Sequence, residues 1–118
     1  MDKWTAINTF WNSFSIPAYD AYTVPDTAQM PYITYEASID EFGQTLSHTA
    51  SLWYYSSSWS EISQKAAEIE AYIGGGAGVR YDDGRMWVTK GYPFAQRMEE
   101  PSSDLVRRIV INVDVEFQ

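Results

Sequence analysis

Apolar residues change their spacing several times along the chain, and each change marks an element. In the first segment, Asp2 to Phe14, the residues Trp4, Ile7, Phe10, Trp11 and Phe14 recur at steps of three and four. That spacing gathers them on one face of an amphipathic helix. The aromatic stripe predicts a core role for Trp4, Phe10 and Trp11. Between Ser15 and Pro31 three prolines interrupt any regular period, which predicts an irregular loop with a short extended piece near Tyr22 to Val24. From Pro31 the period becomes two. Ile33, Tyr35, Ala37 and Ile39 alternate with Thr34, Glu36, Ser38 and Asp40, the pattern of a strand with one buried face. A turn at Glu41-Phe42-Gly43-Gln44 leads into a second strand from Thr45 to about Ser57, with Leu46, His48, Ala50, Leu52 and Tyr54 on one side and Trp53 and Tyr55 on the other. The short connection makes the two an antiparallel hairpin.

Ser58 or Ser60 offers an N-cap, with Glu61 three residues after Ser58 as in a capping box, and Ile62, Ala66, Ile69 and Ile73 continue at helical steps until Gly74. This is a second helix stopped by a C-terminal glycine. Beyond the Gly74 to Gly78 spacer, Val79-Arg80-Tyr81 and Arg85-Met86-Trp87-Val88-Thr89 flank Asp82-Asp83-Gly84. Asp-Gly suits the positive φ angles of a tight hairpin turn. Gly91 to Asp104, with Pro93, Pro101 and Glu99-Glu100, is expected to be a connecting loop. The final strand carries Leu105, Ile109, Ile111, Val113, Val115 and Phe117 on one face, with Arg107 and Val110 breaking the alternation. Together these predict one α+β domain over residues 1–118, a mainly antiparallel sheet with two helices packed on one face.

A chain of 118 residues has room for one sizeable core. At 45% hydrophobic it is too apolar for a disordered acidic tail despite a formal charge of -8. There is no cysteine, which removes disulfides, thiol catalysis and cysteine metal centres together. No apolar run reaches the length of a membrane span, and Met1-Asp2-Lys3-Trp4 has no basic segment leading into an apolar one. The expectation is a chain that is neither exported by that route nor embedded in a membrane. The acidic balance disfavours tight nucleic-acid binding, which needs clustered Lys and Arg. It suits a wall past which DNA slides without adhering.

Candidate chemistry is sparse. His48 is the only histidine, and a histidine on the apolar face of a strand is more often a packed, hydrogen-bonded residue than a base. The glycine run Gly74 to Gly78 lacks the Lys-Ser/Thr of a phosphate loop and follows a helix rather than a strand. The acidic pairs Asp40-Glu41, Asp82-Asp83 and Glu99-Glu100 lie at turns, without calcium-loop spacing. No catalytic residue, metal ligand or cofactor site is expected. Five tryptophans and nine tyrosines exceed what one small core needs, and aromatic anchors are enriched at protein interfaces. Exposure logic nominates Asp40, Glu41, Trp53, Tyr55, Asp82, Asp83 and Arg85, with the Gly74 to Gly78 loop, as contact residues. Trp53 and Tyr55 stand evenly between sheet packing and subunit contact.

The layout resembles the tail terminator, or tail completion, proteins of bacteriophages with long noncontractile tails. The segments that carry the resemblance are the N-terminal helix, Met30-Pro31-Tyr32-Ile33-Thr34-Tyr35, the polar strand ending in Leu52-Trp53-Tyr54, the helix Ser60 to Ile73, and Arg107-Arg108-Ile109-Val110-Ile111-Asn112-Val113-Asp114-Val115. The resemblance implies a homo-oligomeric ring, usually a hexamer, that caps the tail tube, stops its elongation and presents a docking surface to the head. Its implied partners are further copies of itself, the tail tube protein and the head-tail connector, with DNA only as cargo passing through the lumen. Its implied location is the virion neck, and the host cytoplasm during assembly. It implies no catalysis. Two alternatives remain: a head-side connector or adaptor of the same size, and a small-molecule-binding domain using a cleft lined by tyrosines and His48.

Overall fold

A computed structural model describes residues 1–40 and 44–118. Helix α1 runs Lys3–Trp11 and passes into a single 3-10 turn at Asn12–Phe14; strands β1 (Ala18–Asp20), β2 (Tyr32–Glu36) and β3 (Thr45–Tyr55) follow. Helix α2 (Ser60–Ile73) precedes β4 (Ala77–Tyr81), β5 (Gly84–Met98) and β6 (Val106–Phe117). The strands form one six-stranded sheet in the order β1-β2-β3-β6-β5-β4. Among the described residues only the β1–β2 pair is parallel. The α+β class, with a mainly antiparallel sheet, is therefore as the periodicity predicts.

Period two decides which face of the sheet is covered. Along β6, Ile109, Ile111, Val113, Val115 and Phe117 are buried, and the residues between them are half-buried. Their partners on β3, among them His48, Ala50 and Leu52, are buried too. Both helices lie on this face. Helix α1 contributes Ala6, Ile7, Phe10 and Trp11, and α2 contributes Ile62, Ala66, Ile69 and Ile73. The helices meet where Tyr72 of α2 sets its ring edge-on to Phe14 at 5.1 Å and tilted against Phe10 at 6.2 Å. Lys65 of α2 also donates its Nζ to the Phe14 carbonyl at 2.7 Å. Burying a Leu- or Phe-sized side chain contributes about 1.5–3 kcal/mol, so this layer and the β6 face supply most of the hydrophobic stabilisation.

Several expectations need correction, two of them at element ends: β2 stops at Glu36 short of Ile39, and Leu105 lies before β6 and is exposed. Trp4 is 54% exposed, not core. It begins the stripe but lies one turn before α1 settles onto the sheet. The extended piece in the proline-rich segment is Ala18–Asp20 rather than Tyr22 to Val24, because β1 pairs with Ile33–Tyr35 of β2. Ser58 serves the start of α2 by accepting the Ser60 N–H at 3.0 Å, with Trp59 in the N-cap position and making no side-chain cap bond. Glycine is present at the hairpin turn for a different reason. Tyr81 pairs with Gly84 across Asp82-Asp83, and a Cβ on Gly84 would stand 1.8 Å from the Gln118 carbonyl oxygen. A close backbone approach, not a positive φ, is what demands glycine there. Finally, most of Gly91 to Asp104 is strand: β5 continues to Met98, with a register shift against β6 between Lys90 and Ala95. The shift absorbs Gly91, Tyr92 and Pro93, and a bulge of this kind hides period two from a reading of the sequence. Gly74 ends α2 as expected, with φ 52° and its N–H on the Glu70 carbonyl at 2.9 Å.

Candidate functional surfaces

The nominated residues separate into two groups at opposite ends of the sheet. Trp53 stands beside Arg108 in direct register, whereas Gly84 meets Gln118 at the other end of β6. At about 3.3 Å per residue the two ends lie roughly 30 Å apart.

The first group lies on the helix-free face. The indole N–H of Trp53 donates to the Thr34 hydroxyl at 2.9 Å, and the Arg108 guanidinium lies 4.8 Å from the indole centroid. Arg108 Nε donates to the Ser51 hydroxyl at 3.1 Å. Three neighbouring strands thus lock one Trp–Arg pair in place through period-two register, since Thr34 opposes Ser51 and Trp53 opposes Arg108. Beside the pair, Tyr32, Thr34, Glu36, Arg108 and Val110, with Ala21 and Val24 from the preceding loop, line an open depression of about 420 Å³. Tyr55, on the same side of β3, is 66% exposed. Further along this face Arg85 stacks on Trp87 at 4.8 Å, and Trp87 lies where a Cβ on Gly76 would stand, 1.9 Å from the ring.

The second group gathers at the hairpin end. The Met1 ammonium pairs with the Asp82 carboxylate, and the Asp82 N–H donates to the Met1 carbonyl at 2.8 Å. Lys3 donates its Nζ to the Asp40 carbonyl at 3.4 Å and sits over the Phe117 and Tyr81 rings at 5.2 and 5.9 Å. Arg85 donates to Gln118 Oε1 at 2.9 Å. Asp2 caps α1 by accepting the Thr5 N–H at 2.7 Å, and that bond holds its carboxyl below the ordinary carboxylate value. Trp4, Ile39 and Asp83, with Met1, Asp2, Lys3, Tyr81 and Asp82, surround a depression of about 320 Å³. Lys3 thus links the Asp40 carbonyl to the Tyr81 ring beside the Asp82 to Arg85 tip, a proximity that sequence spacing conceals. Glu41, nominated with Asp40, lies outside the described residues. Trp4 is the aromatic at this end that sequence reading assigned elsewhere, and only the surplus of tryptophan signalled that one would be exposed.

His48 is 1% exposed, and its Nε2 stands 2.8 Å from the Ser38 carbonyl oxygen. Burial pushes its pKa below the ordinary 6.5, against the raising effect of the Ser38 backbone. The ring is enclosed in the helix-side core, so the cleft of tyrosines with His48 envisaged for a small ligand does not form around it. Among the described residues no group of three or more His, Cys, Asp or Glu side chains is placed to hold a metal ion, and no helix is long and apolar enough to cross a membrane. No family model, curated protein or solved structure matches this chain.

Proposed function

We propose that the chain is a virion assembly protein of a long-tailed bacteriophage that forms a ring on the finished tail tube, stops its growth and gives the head its docking surface. A cap of this kind needs separate contact surfaces on one rigid body. The observation that carries the reading is the pair of surfaces held about 30 Å apart on one sheet: a helix-free face centred on Trp53 and Arg108, and an acidic, aromatic end formed by Trp4, Asp82 and Asp83. Both expose aromatic groups beside charge, the composition favoured in interfaces. The formal charge of -8 per chain suits a ring through which DNA passes without adhering. The layout of segments described above supplies the particular role.

The test is the molar mass of the purified protein by light scattering over a concentration series, followed by incubation with purified tail tubes. A mass near six chains, or labelled protein at tube ends, supports the reading. Capture by isolated heads and not by tubes assigns the chain to the head side. Failure to associate with either overturns it.

A further inference from the structure

Strand β4 pairs with β5 only from Gly84 to Val88, so from Thr89 onward β5 has β6 on one side and, among the described residues, no strand on the other. The burial alternation of the first half of β5 stops here: Ala95, Gln96, Arg97 and Met98 are all exposed. Small side chains of α2, Ser63, Ala66 and Ala67, leave two adjoining hollows of about 410 and 220 Å³ between the helix and the strand. The sheet's other end is closed differently. The Asn12 side chain accepts the Ala18 N–H at 3.0 Å and donates to the Ala18 carbonyl at 3.3 Å, occupying the backbone groups that a further strand beside β1 would use. An uncovered strand edge pairs with another strand when one is presented.

We propose that the Phe94–Met98 edge of β5 pairs antiparallel with the same edge of a second copy, with Gln96 opposite Gln96 on the two-fold axis. Symmetry and charge select this register. In an antiparallel pair related by a two-fold axis, the bonding alternation requires the axis to pass through a residue. An axis at Arg97 would set two guanidinium groups opposite each other, a destabilising like-charge pair. An axis at Ala95 would bring Pro93, which has no N–H, opposite Arg97. An axis at Gln96 places Arg97 opposite the small Ala95 of the other copy and Phe94 opposite Met98. Arg97 is already anchored, its guanidinium 4.9 Å from the Trp59 ring, whose indole also receives Arg107 at 5.4 Å. The Arg97 side chain is thus drawn toward α2 and away from the axis. The hollows beside Ser63, Ala66 and Ala67 leave clearance for the incoming strand. This pairing goes beyond the ring reading and does not depend on it: it is complete at two chains and needs no tail tube.

The natural chain has no cysteine, so a single introduced thiol reports only contact between copies. In Gln96→Cys the two thiols meet across the axis, and a short thiol-reactive crosslinker should convert most of the protein to a two-chain species. Tyr22→Cys, at an 83% exposed position on the β1 side, should stay single under the same conditions. Light scattering of the natural protein should show a mass rising toward two chains with concentration, and Gln96→Arg, which sets two guanidinium groups opposite each other on the axis, should lower the association constant several-fold. Equal crosslinking of the two cysteine variants would overturn the pairing, as would a natural protein that is a single chain at every concentration. A six-chain mass without Gln96→Cys crosslinks would overturn the pairing and leave the ring intact. A crosslinked pair that tail tubes never recruit would do the reverse.

Discussion

Arg108 lies over Trp53 at 4.8 Å from the neighbouring strand, and the two are direct register partners. Each is held by a second bond, Trp53 to Thr34 and Arg108 to Ser51, so the stacking geometry is set by strand register rather than by the freedom of a long side chain. A cation over an indole contributes about 0.5–1 kcal/mol where partly exposed. A double-mutant cycle of Arg108→Ala and Trp53→Leu, read by denaturant unfolding, should return a coupling of about that size. Additivity would show that the two residues act independently.

The glycine at the hairpin should be much less replaceable than a glycine in the spacer. A Cβ at Gly84 meets backbone, the Gln118 oxygen at 1.8 Å and its carbon at 2.8 Å, whereas one at Gly75 meets nothing within 4 Å. Gly84→Ala should destabilise by about 1–3 kcal/mol, the usual range for forced overpacking, while Gly75→Ala should change stability by less than about 1 kcal/mol. Thermal unfolding of the two variants side by side measures the contrast.

Burial lowers the His48 pKa in the folded state below 6.5. As pH falls through 6.5 the unfolded chain takes up a proton that the folded chain resists, so this contribution to stability is full above that value and declines below it. Urea midpoints measured from pH 7.5 to 5 should fall, and His48→Gln should flatten the decline. The Asp2 cap acts in a lower window. Its depressed carboxyl supports the fold above the ordinary 3.8 and loses that effect as pH drops further.

Trp4 and Phe10 share one helical stripe but not one environment, being 54% and 1% exposed. Phe10→Ala should cost about 3–5 kcal/mol, as expected for a deleted core aromatic. Trp4→Ala should cost less than about 1 kcal/mol while weakening assembly, if the hairpin end is a contact surface. Sedimentation and chemical unfolding on the same samples separate the two effects.

Charge reversal at the hairpin tip tests the same surface without touching the core. Asp82→Lys, Asp83→Lys loses the exposed ion pair with the Met1 ammonium, worth about 0–1 kcal/mol. The protein should therefore stay folded, and under the proposed function head-tail joining should fail. Normal tails and full infectivity from this variant would count against a contact role for the tip.

Where one face of an element is buried and the chain is regular, the sequence was readable. Ile62, Ala66, Ile69 and Ile73 of α2 and the alternate residues of β6 from Ile109 onward are buried as their periods predict. Reading failed where local spacing carries no record of a distant partner. The strand at Ala18–Asp20 exists because β2 lies beside it, and its Ala-Tyr-Asp sequence has no alternation to notice. The second half of β5 is exposed on both faces, so no apolar period could mark it. The surfaces were legible only in composition. Ile39 and Asp82 line a common hollow, and Lys3 at its wall also bonds the Asp40 carbonyl, a juxtaposition that follows from sheet order and not from spacing.

The small amide of Asn12 has a consequence for solubility. By using both backbone groups of Ala18, it ends the hydrogen-bond ladder on the β1 side as a stopper ends a zip. A sheet open at both margins can add copies indefinitely and grow into a fibre, whereas one with a sealed margin stops once its open margin is matched. With the proposed pairing at the other margin, Asn12 would therefore favour finite association over open-ended strand addition in a chain with several exposed aromatic groups.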